Sequence, residues 1–428
     1  MEASMPAPQA ALRSLLVVAL LGTVGLAGCF TDDAAPGATS AAQTAQSMLD
    51  NPPGADVKPT GKTKEFNLYL HRMRHVLYPG ASMNMWGFSL SDDPNSAQFP
   101  GPTLRVTEGD KVVVRFLSTV AGFNHTLHFH GQHVPWDMDG VPYVTQEPVE
   151  PGEEFVYTFI AKPAGTYWYH CHVDAQHHID MGMYGAFIVD PQDRSTEPRY
   201  DDDFVLMLDD MDRFHLEGGD TNVNNTPQSG DPFDYEAWAR RQAQDTYNRN
   251  AVIQENAGSK ARPTRNWYPV TYAPFTVSYN TYLINGAAFP YTEPIVVKEG
   301  ETVRLRLINA GNTFFAMHLH GHHFLVTHKD GIALNSPYWA DTVFIGPSER
   351  YDVYVKLNNP GPWDFHDHAA THTQNDNIFP GGAMMMFVYE GFEDLAMGHG
   401  HAHGGSSQKI KLPATGSSGD YIRWYAET

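Results

Sequence analysis

Cys171 stands between His170 and His172, with His178 and then Met183 close behind. A thiolate, an imidazole and a thioether in one short segment can supply most of a blue-copper site, which binds through two histidines and a cysteine with a weak axial methionine. The preceding Tyr167-Trp168-Tyr169 is aromatic and reads as extended chain. Side chains alternate faces along a strand, so His170 and His172 share one face and Cys171 takes the other. One strand then carries two metal-binding faces back to back, which suits electron transfer.

Three more His-x-His pairs occur, His128/His130, His318/His320 and His366/His368. On strands each presents two imidazoles to one face. Two pairs fall in each half of the chain at comparable places, and eight imidazoles brought together make a copper cage. The halves also match elsewhere. Thr103 to Phe116 reads as two strands about a turn, and Ile295 to Asn309 repeats the pattern, each followed by a His-rich segment. Two similar domains are the economical reading. With 428 residues, 37 Gly and 30 Pro, and short apolar runs between turn signals, the chain is expected to be all-β.

The formal charge of −21 argues against nucleic acid as a partner and draws cations. There are two cysteines. Cys29 ends Leu26-Ala27-Gly28-Cys29, after an apolar run from Leu15 with Arg13 before it, and this resembles a bacterial-type lipoprotein signal. The run is shorter than the roughly 20 residues of a membrane span. Residues 1–28 are therefore expected to be cleaved and Cys29 to carry a lipid anchor, the only membrane attachment, with the protein exported to the cell surface or periplasm. Cys171 is then the one thiol of the mature domains, and copper ligation gives a lone thiol a reason to persist in an oxidising compartment. Residues 29–62 read as a flexible tether, 63–192 as the first domain and 200–390 as the second. Within the second, 213–277 is an insertion of partly helical character, from Asp231-Pro232 towards Gly258. The tail 391–428 carries His399, His401 and His403 among glycines.

From about residue 64 to 390 the sequence resembles a two-domain multicopper oxidase of the laccase-like kind, with blue copper in the first domain only. The resemblance rests on His125-Thr-Leu-His128-Phe-His130-Gly, on His170-Cys171-His172 with His178 and Gly182-Met183, on Met317-His318-Leu-His320-Gly-His322, and on His366-Asp367-His368. It implies two cupredoxin-like Greek-key β-sandwich domains. By the same resemblance His125, Cys171, His178 and Met183 bind type 1 copper, and His128 and His318 hold the type 2 ion. His130, His170, His172, His320, His366 and His368 hold the type 3 pair, for about four coppers per chain. The family spacing from His-Cys-His to the next histidine is three residues and here it is five. His177 therefore competes with His178, and His178 is preferred because it keeps the family's spacing to Met183.

In the second repeat Asp367 replaces the cysteine and Phe315 the first histidine, so His372 is expected to be a remnant or a surface residue. Asp139 and Asp174 are the candidate proton carriers. The implied reaction is one-electron oxidation of a small phenolic or metal-ion donor coupled to four-electron reduction of O2 to water. The resemblance also implies a homotrimer with cages completed between subunits, which is the expectation, an intrachain interface being the alternative. Copper nitrite reductase and a non-enzymatic blue-copper carrier are the alternatives. Met83, Met85, Met181 and Met384-Met385-Met386 could bind cuprous ion and so make it a conceivable donor, although such methionines are more often core filler.

Overall fold

The computed structural model describes residues 41–120, 122–212 and 279–393. The expected signal 1–28, Cys29, the insertion 213–277 and the tail histidines lie outside the described residues. Two compact units divide at Asn51. In the first, Ala41–Asp50 forms helix α1, so the stretch expected to be a flexible tether is helical in part. Its Ala, Gln, Met and Leu are strong helix formers uninterrupted by Gly or Pro, and Gln46 Nε2 donates to Asp50 Oδ1 at 2.9 Å.

The second unit is two β-sandwiches. The first pairs a sheet of β1 (Thr63–Tyr78), β2 (Ala81–Ser89), β4 (Lys111–Ser118) and β6 (Glu154–Ile160) with one of β3 (Gly101–Thr107), β5 (His128–His130), β7 (Gly165–His170) and β8 (Tyr184–Asp190). The sheet orders are β2-β1-β4-β6 and β3-β8-β7-β5. The strands about the Glu108-Gly109 turn enter different sheets, so that turn crosses the sandwich. Between β7 and β8 lies helix α2 (Ala175–Asp180).

The second sandwich has one sheet of β9 (Asp202–Met211), β10 (Thr281–Ile284), β12 (Thr302–Asn309), β14 (Phe324–Lys329), β15 (Ile332–Ala340) and β17 (Arg350–Lys356). Its other sheet has β11 (Ile295–Val297), β13 (Phe315–Leu319), β16 (Thr342–Ile345), β18 (Pro362–Asp367) and β19 (Met384–Tyr389). The pairings repeat those of the first. β1 runs parallel to β4 as β9 does to β12, and β3 runs parallel to β8 as β11 does to β19. β5 lies antiparallel to β7 as β13 does to β18. The internal duplication is thus one of hydrogen-bonding order.

Every residue of β7 is buried, as in a strand covered on both faces. The core of the first sandwich, built on Leu68, Trp86, Phe116, Phe129 and Tyr167, continues into Met207, Met211, Leu283 and Ile308 of the second. A buried charge cluster crosses the same seam. Arg304 Nε and Arg306 Nε lie 2.8 and 2.9 Å from Asp203 Oδ1. Arg306 Nη1 donates to Thr166 Oγ1 at 2.6 Å, and that hydroxyl donates to Asp352 at 2.5 Å. Burial alone would raise the Asp203 carboxyl, but the two guanidiniums outweigh it and hold it at about 2.

Two guanidiniums so deeply buried are tolerable only because they are paired. Asp203→Ala should therefore cost about 3–5 kcal/mol of stability in denaturant unfolding. Because the folded value lies below the unfolded value near 4, the contribution of Asp203 is complete above about pH 4 and lost as pH falls towards 2. The variant and the parent should accordingly converge in stability over that acid window.

Candidate metal centre

Two clusters of metal-binding side chains lie on opposite faces of the β7 terminus. Cys171, His125, His178 and Met183 are all buried on one face. Cys171 Sγ lies 3.1 Å from His178 Nδ1 and 3.8 Å from His125 Nδ1. The three donor atoms fall within 4.8 Å of one another. Backbone bonds draw the loop closed, since Cys171 N donates to Met183 O and Met183 N to His178 O, both at 3.0 Å. The two extra residues between His172 and His178 are absorbed by α2, which begins where Asp174 adopts a left-handed conformation (φ 44°). His177 lies outside this donor group, its ring edge-on to Trp86 at 5.8 Å. Trp86 also meets His125 and His178 edge-on at 5.5 and 5.1 Å, and Phe123 packs on Trp86 and His178.

Burial lowers His125 to about 3, drives His178 well below the usual range, and pushes the Cys171 thiol up to about 12. The imidazoles thus keep their lone pairs free, while the thiol stays protonated until a cation takes the proton's place. A thiol sulfur with two imidazole Nδ1 atoms turned towards it in an apolar pocket fits copper, with Met183 in the same loop.

On the other face, the His128 ring lies 5.5, 5.3 and 5.4 Å from those of His130, His170 and His172. His128 Nδ1 bonds the carbonyl of Asp139 at 2.7 Å and His170 Nδ1 that of Cys171 at 2.8 Å. Such bonds fix the tautomer and leave Nε2 for a metal. Burial, and next the charge of Arg350, lower His130 to about 3. Gly140 lets the Asp139 loop close on β5, since a β-carbon there would collide with the Leu127 carbonyl and its φ is +79°. The Asp139 carboxylate lies 3.3 Å from His128 Nδ1. Asp174 sits at the head of α2, two residues past His172.

The second sandwich repeats this half-cage. The His318 ring lies 5.0, 6.0 and 5.6 Å from those of His320, His366 and His368. His318 Nδ1 bonds Asp341 O and His366 Nδ1 bonds Asp367 O, each at 2.7 Å. His320 and His368 are exposed. Among the described residues no ring of one half-cage contacts a ring of the other. His322, named in the motif, is buried against Tyr389 (Nε2 to Oη 2.7 Å), away from the cage.

Some features escape the sequence pattern. Following the thiol loop, the carboxyls of Asp180, Asp209 and Asp210 are pushed up by burial, and those of Asp180 and Asp209 further by neighbouring carboxylates. Asp209 accepts from the hydroxyl of Tyr184 at 2.9 Å. The apolar run Phe204 to Leu208 foretells a strand here but not that its acidic end is buried. Nor does the sequence assign Trp86 a place over two histidines. The methionines take the core-filling role, the more frequent of the two considered above. Met83, Met85, Met181 and Met384 to Met386 are all buried in the cores. His372 is likewise buried, with Tyr282 stacked on it at 3.8 Å, and is no surface residue.

Two multicopper oxidase family profiles match residues 95–194 and 258–388. A blue copper oxidase structure from Nitrosomonas europaea is 35% identical, with a TM-score of 0.59 over 77% of this chain and 86% of that one. Copper resistance protein A of Escherichia coli is 30% identical over 64% of this chain, and a Mycobacterium tuberculosis multicopper oxidase 32% over 60%. The chain spans 44% and 46% of the lengths of those two relatives. A copper nitrite reductase from Nitrosomonas europaea, 22% identical with a TM-score of 0.54, shares the fold. The two cupredoxin domains and their histidine clusters belong to the multicopper oxidase family, and the family implies copper at type 1, 2 and 3 sites.

The loop geometry yields a direct prediction. His178→Ala should remove the blue absorption, and His177→Ala should leave it; the visible spectrum of the copper-loaded variants distinguishes them.

Proposed function

We propose that this protein oxidises a small donor one electron at a time at a type 1 copper held by His125, Cys171, His178 and Met183, and reduces O2 to water at a three-copper centre. His128 and His318 are the type 2 ligands in this reading, and His130, His170, His172, His320, His366 and His368 the type 3 ligands. Copper would supply one-electron exchange at the first centre and, at the second, a place to gather the four electrons, drawn from four donor equivalents, that O2 needs. The chain's residues do the rest. Cys171 is covalently joined to His170 and His172, and the 2.8 Å bond from His170 Nδ1 to the Cys171 carbonyl adds a second short link between the faces. Trp86 and Phe123 keep water from the thiolate. Asp139, at 3.3 Å from His128, holds and passes protons at the cage, with Asp174 as the second carrier.

The observation that carries the reading is the pair of matching half-cages, each of four imidazoles. A nitrite reductase needs one three-histidine centre, and an electron carrier needs none, so either would leave most of these rings without a task. Because the halves do not meet within the described chain and that of the second domain is open, we take the active assembly to be a homotrimer in which one subunit's first domain faces the next subunit's second. Exposed aromatics rim both halves: Trp136 in the turn before Asp139, and Phe344, which pairs opposite Ala316 and stacks on Phe314 at 5.1 Å. Such rims suit burial against another copy.

We extend the proposal to an exported protein, lipid-anchored through Cys29 at the cell surface or in the periplasm. The donor is a phenol or a reducing metal ion, the latter favoured by the charge of −21. Relatives named for copper resistance support including cuprous ion among the candidate donors.

Metal analysis with light scattering tests the assembly. About four coppers per chain in a trimer is the expected result. Full copper in a monomer would sink the intersubunit cage, and about one or two coppers per chain would favour the carrier or the reductase. Cys171→Ser should lose both colour and turnover while the protein remains folded.

A further inference from the structure

The second domain keeps the frame of a type 1 site without its donors. Asp367 N donates to Ala383 O at 2.9 Å, as Cys171 N does to Met183 O at 3.0 Å. Ala383 N donates to His372 O at 2.8 Å, as Met183 N does to His178 O at 3.0 Å. His366 Nδ1 bonds Asp367 O at 2.7 Å, as His170 Nδ1 bonds Cys171 O at 2.8 Å. In this frame Phe315 stands for His125, Asp367 for Cys171 and Ala383 for Met183, and of the four only a histidine, His372, persists.

The Asp367 carboxylate is buried and both its oxygens accept hydrogen bonds. Oδ1 accepts from Ala369 N at 2.8 Å and Ala316 N at 3.2 Å, and Oδ2 from His372 Nδ1 at 2.7 Å. Tyr282 stacked on His372 and the nearby Phe315 ring fill the remaining space. These attachments all border the second half-cage. Asp367 lies between His366 and His368, Ala369 follows His368, and Ala316 is on β13 two residues before His318. Ala316 O also accepts from His368 N at 2.9 Å. One carboxylate thus joins the two backbone stretches that carry the cage, one with His318 and the other with His366 and His368, and His372 braces it from behind.

We propose that Asp367, braced by His372, is a positioning residue for the trinuclear copper centre, doing with hydrogen bonds in the second domain what a metal–sulfur bond does in the first. The proposal rests on the oxidase reading above. Without the carboxylate, the Ala316 and Ala369 amides lose their acceptor and the imidazoles lose their common anchor.

The test loads full-length wild type, Asp367→Ala, Asp367→Asn and His372→Phe with copper, and measures metal per chain, the blue band and the type 2 electron paramagnetic resonance signal. The blue band reports that the first domain is folded and loaded. Asp367→Ala should keep that band but fall from about four coppers to about one, with the type 2 signal gone. Asp367→Asn retains an acceptor oxygen for the two amides and should recover most of the lost metal and signal. About four coppers and an unchanged type 2 signal in Asp367→Ala would overturn the proposal. If Asp367→Ala shows no blue band, His372→Phe decides: at least a halving of the type 2 signal supports the brace, and wild-type loading overturns it. Wild-type protein that takes up about one copper and shows no type 2 signal would instead overturn the oxidase reading, and this inference with it.

Discussion

The two-residue period at the end of β7 is the constraint on which the rest of the structure depends. It turns the sulfur of Cys171 to one side and the imidazoles of His170 and His172 to the other, so two metal centres are separated by the thickness of one backbone. A register slip of one residue would exchange the faces and destroy both. The fold secures the register by burying β7 throughout and pairing it on both sides, with His128 opposite His170 and Gly185 opposite Tyr169. The arginine cluster anchors the start of the same strand through Thr166.

Duplication explains why the second half of the cage takes the form it does. The repeated strand order sets His318, His320, His366 and His368 in the same relative positions as His128, His130, His170 and His172. Only the thiol side has diverged, with three donors replaced and the space filled by a carboxylate, an imidazole and aromatic rings. In the proposed reaction, one-electron entry is thereby confined to the first domain, while both domains keep imidazole faces able to bind metal. The partly open second face follows from this division, because four imidazoles from one domain cannot enclose three metals.

Much of this was legible in the chain itself. The repeated strand–turn–strand pattern of Thr103 to Phe116 and Ile295 to Asn309 marks the strands, and His-x-His spacing marks the cage faces because strand geometry converts spacing directly into direction. The loop with His177 and His178 was harder. A helical turn there breaks the period of two, so which ring reaches the sulfur depends on where α2 starts, and that is set by the left-handed Asp174. Long-range features were least readable. Nothing local to Trp86, Arg350 or Asp209 indicates what those side chains pack against, since their partners come from distant strands. The helix Ala41–Asp50 was obscured by the Ala, Thr, Pro and Gly composition of the stretch around it. His372 looked dispensable without its thiolate partner, but the carboxylate that replaced the thiol gives it a buried bond.

The account's central claim is that electrons entering beside Cys171 leave on O2 at the histidine cage. Electron stoichiometry tests this most directly, by titrating a one-electron donor against oxygen consumption while assaying for peroxide. The account predicts about four donor equivalents oxidised per O2, with no hydrogen peroxide released. About two equivalents per O2 with accumulating peroxide, or donor oxidation without oxygen uptake, would contradict it.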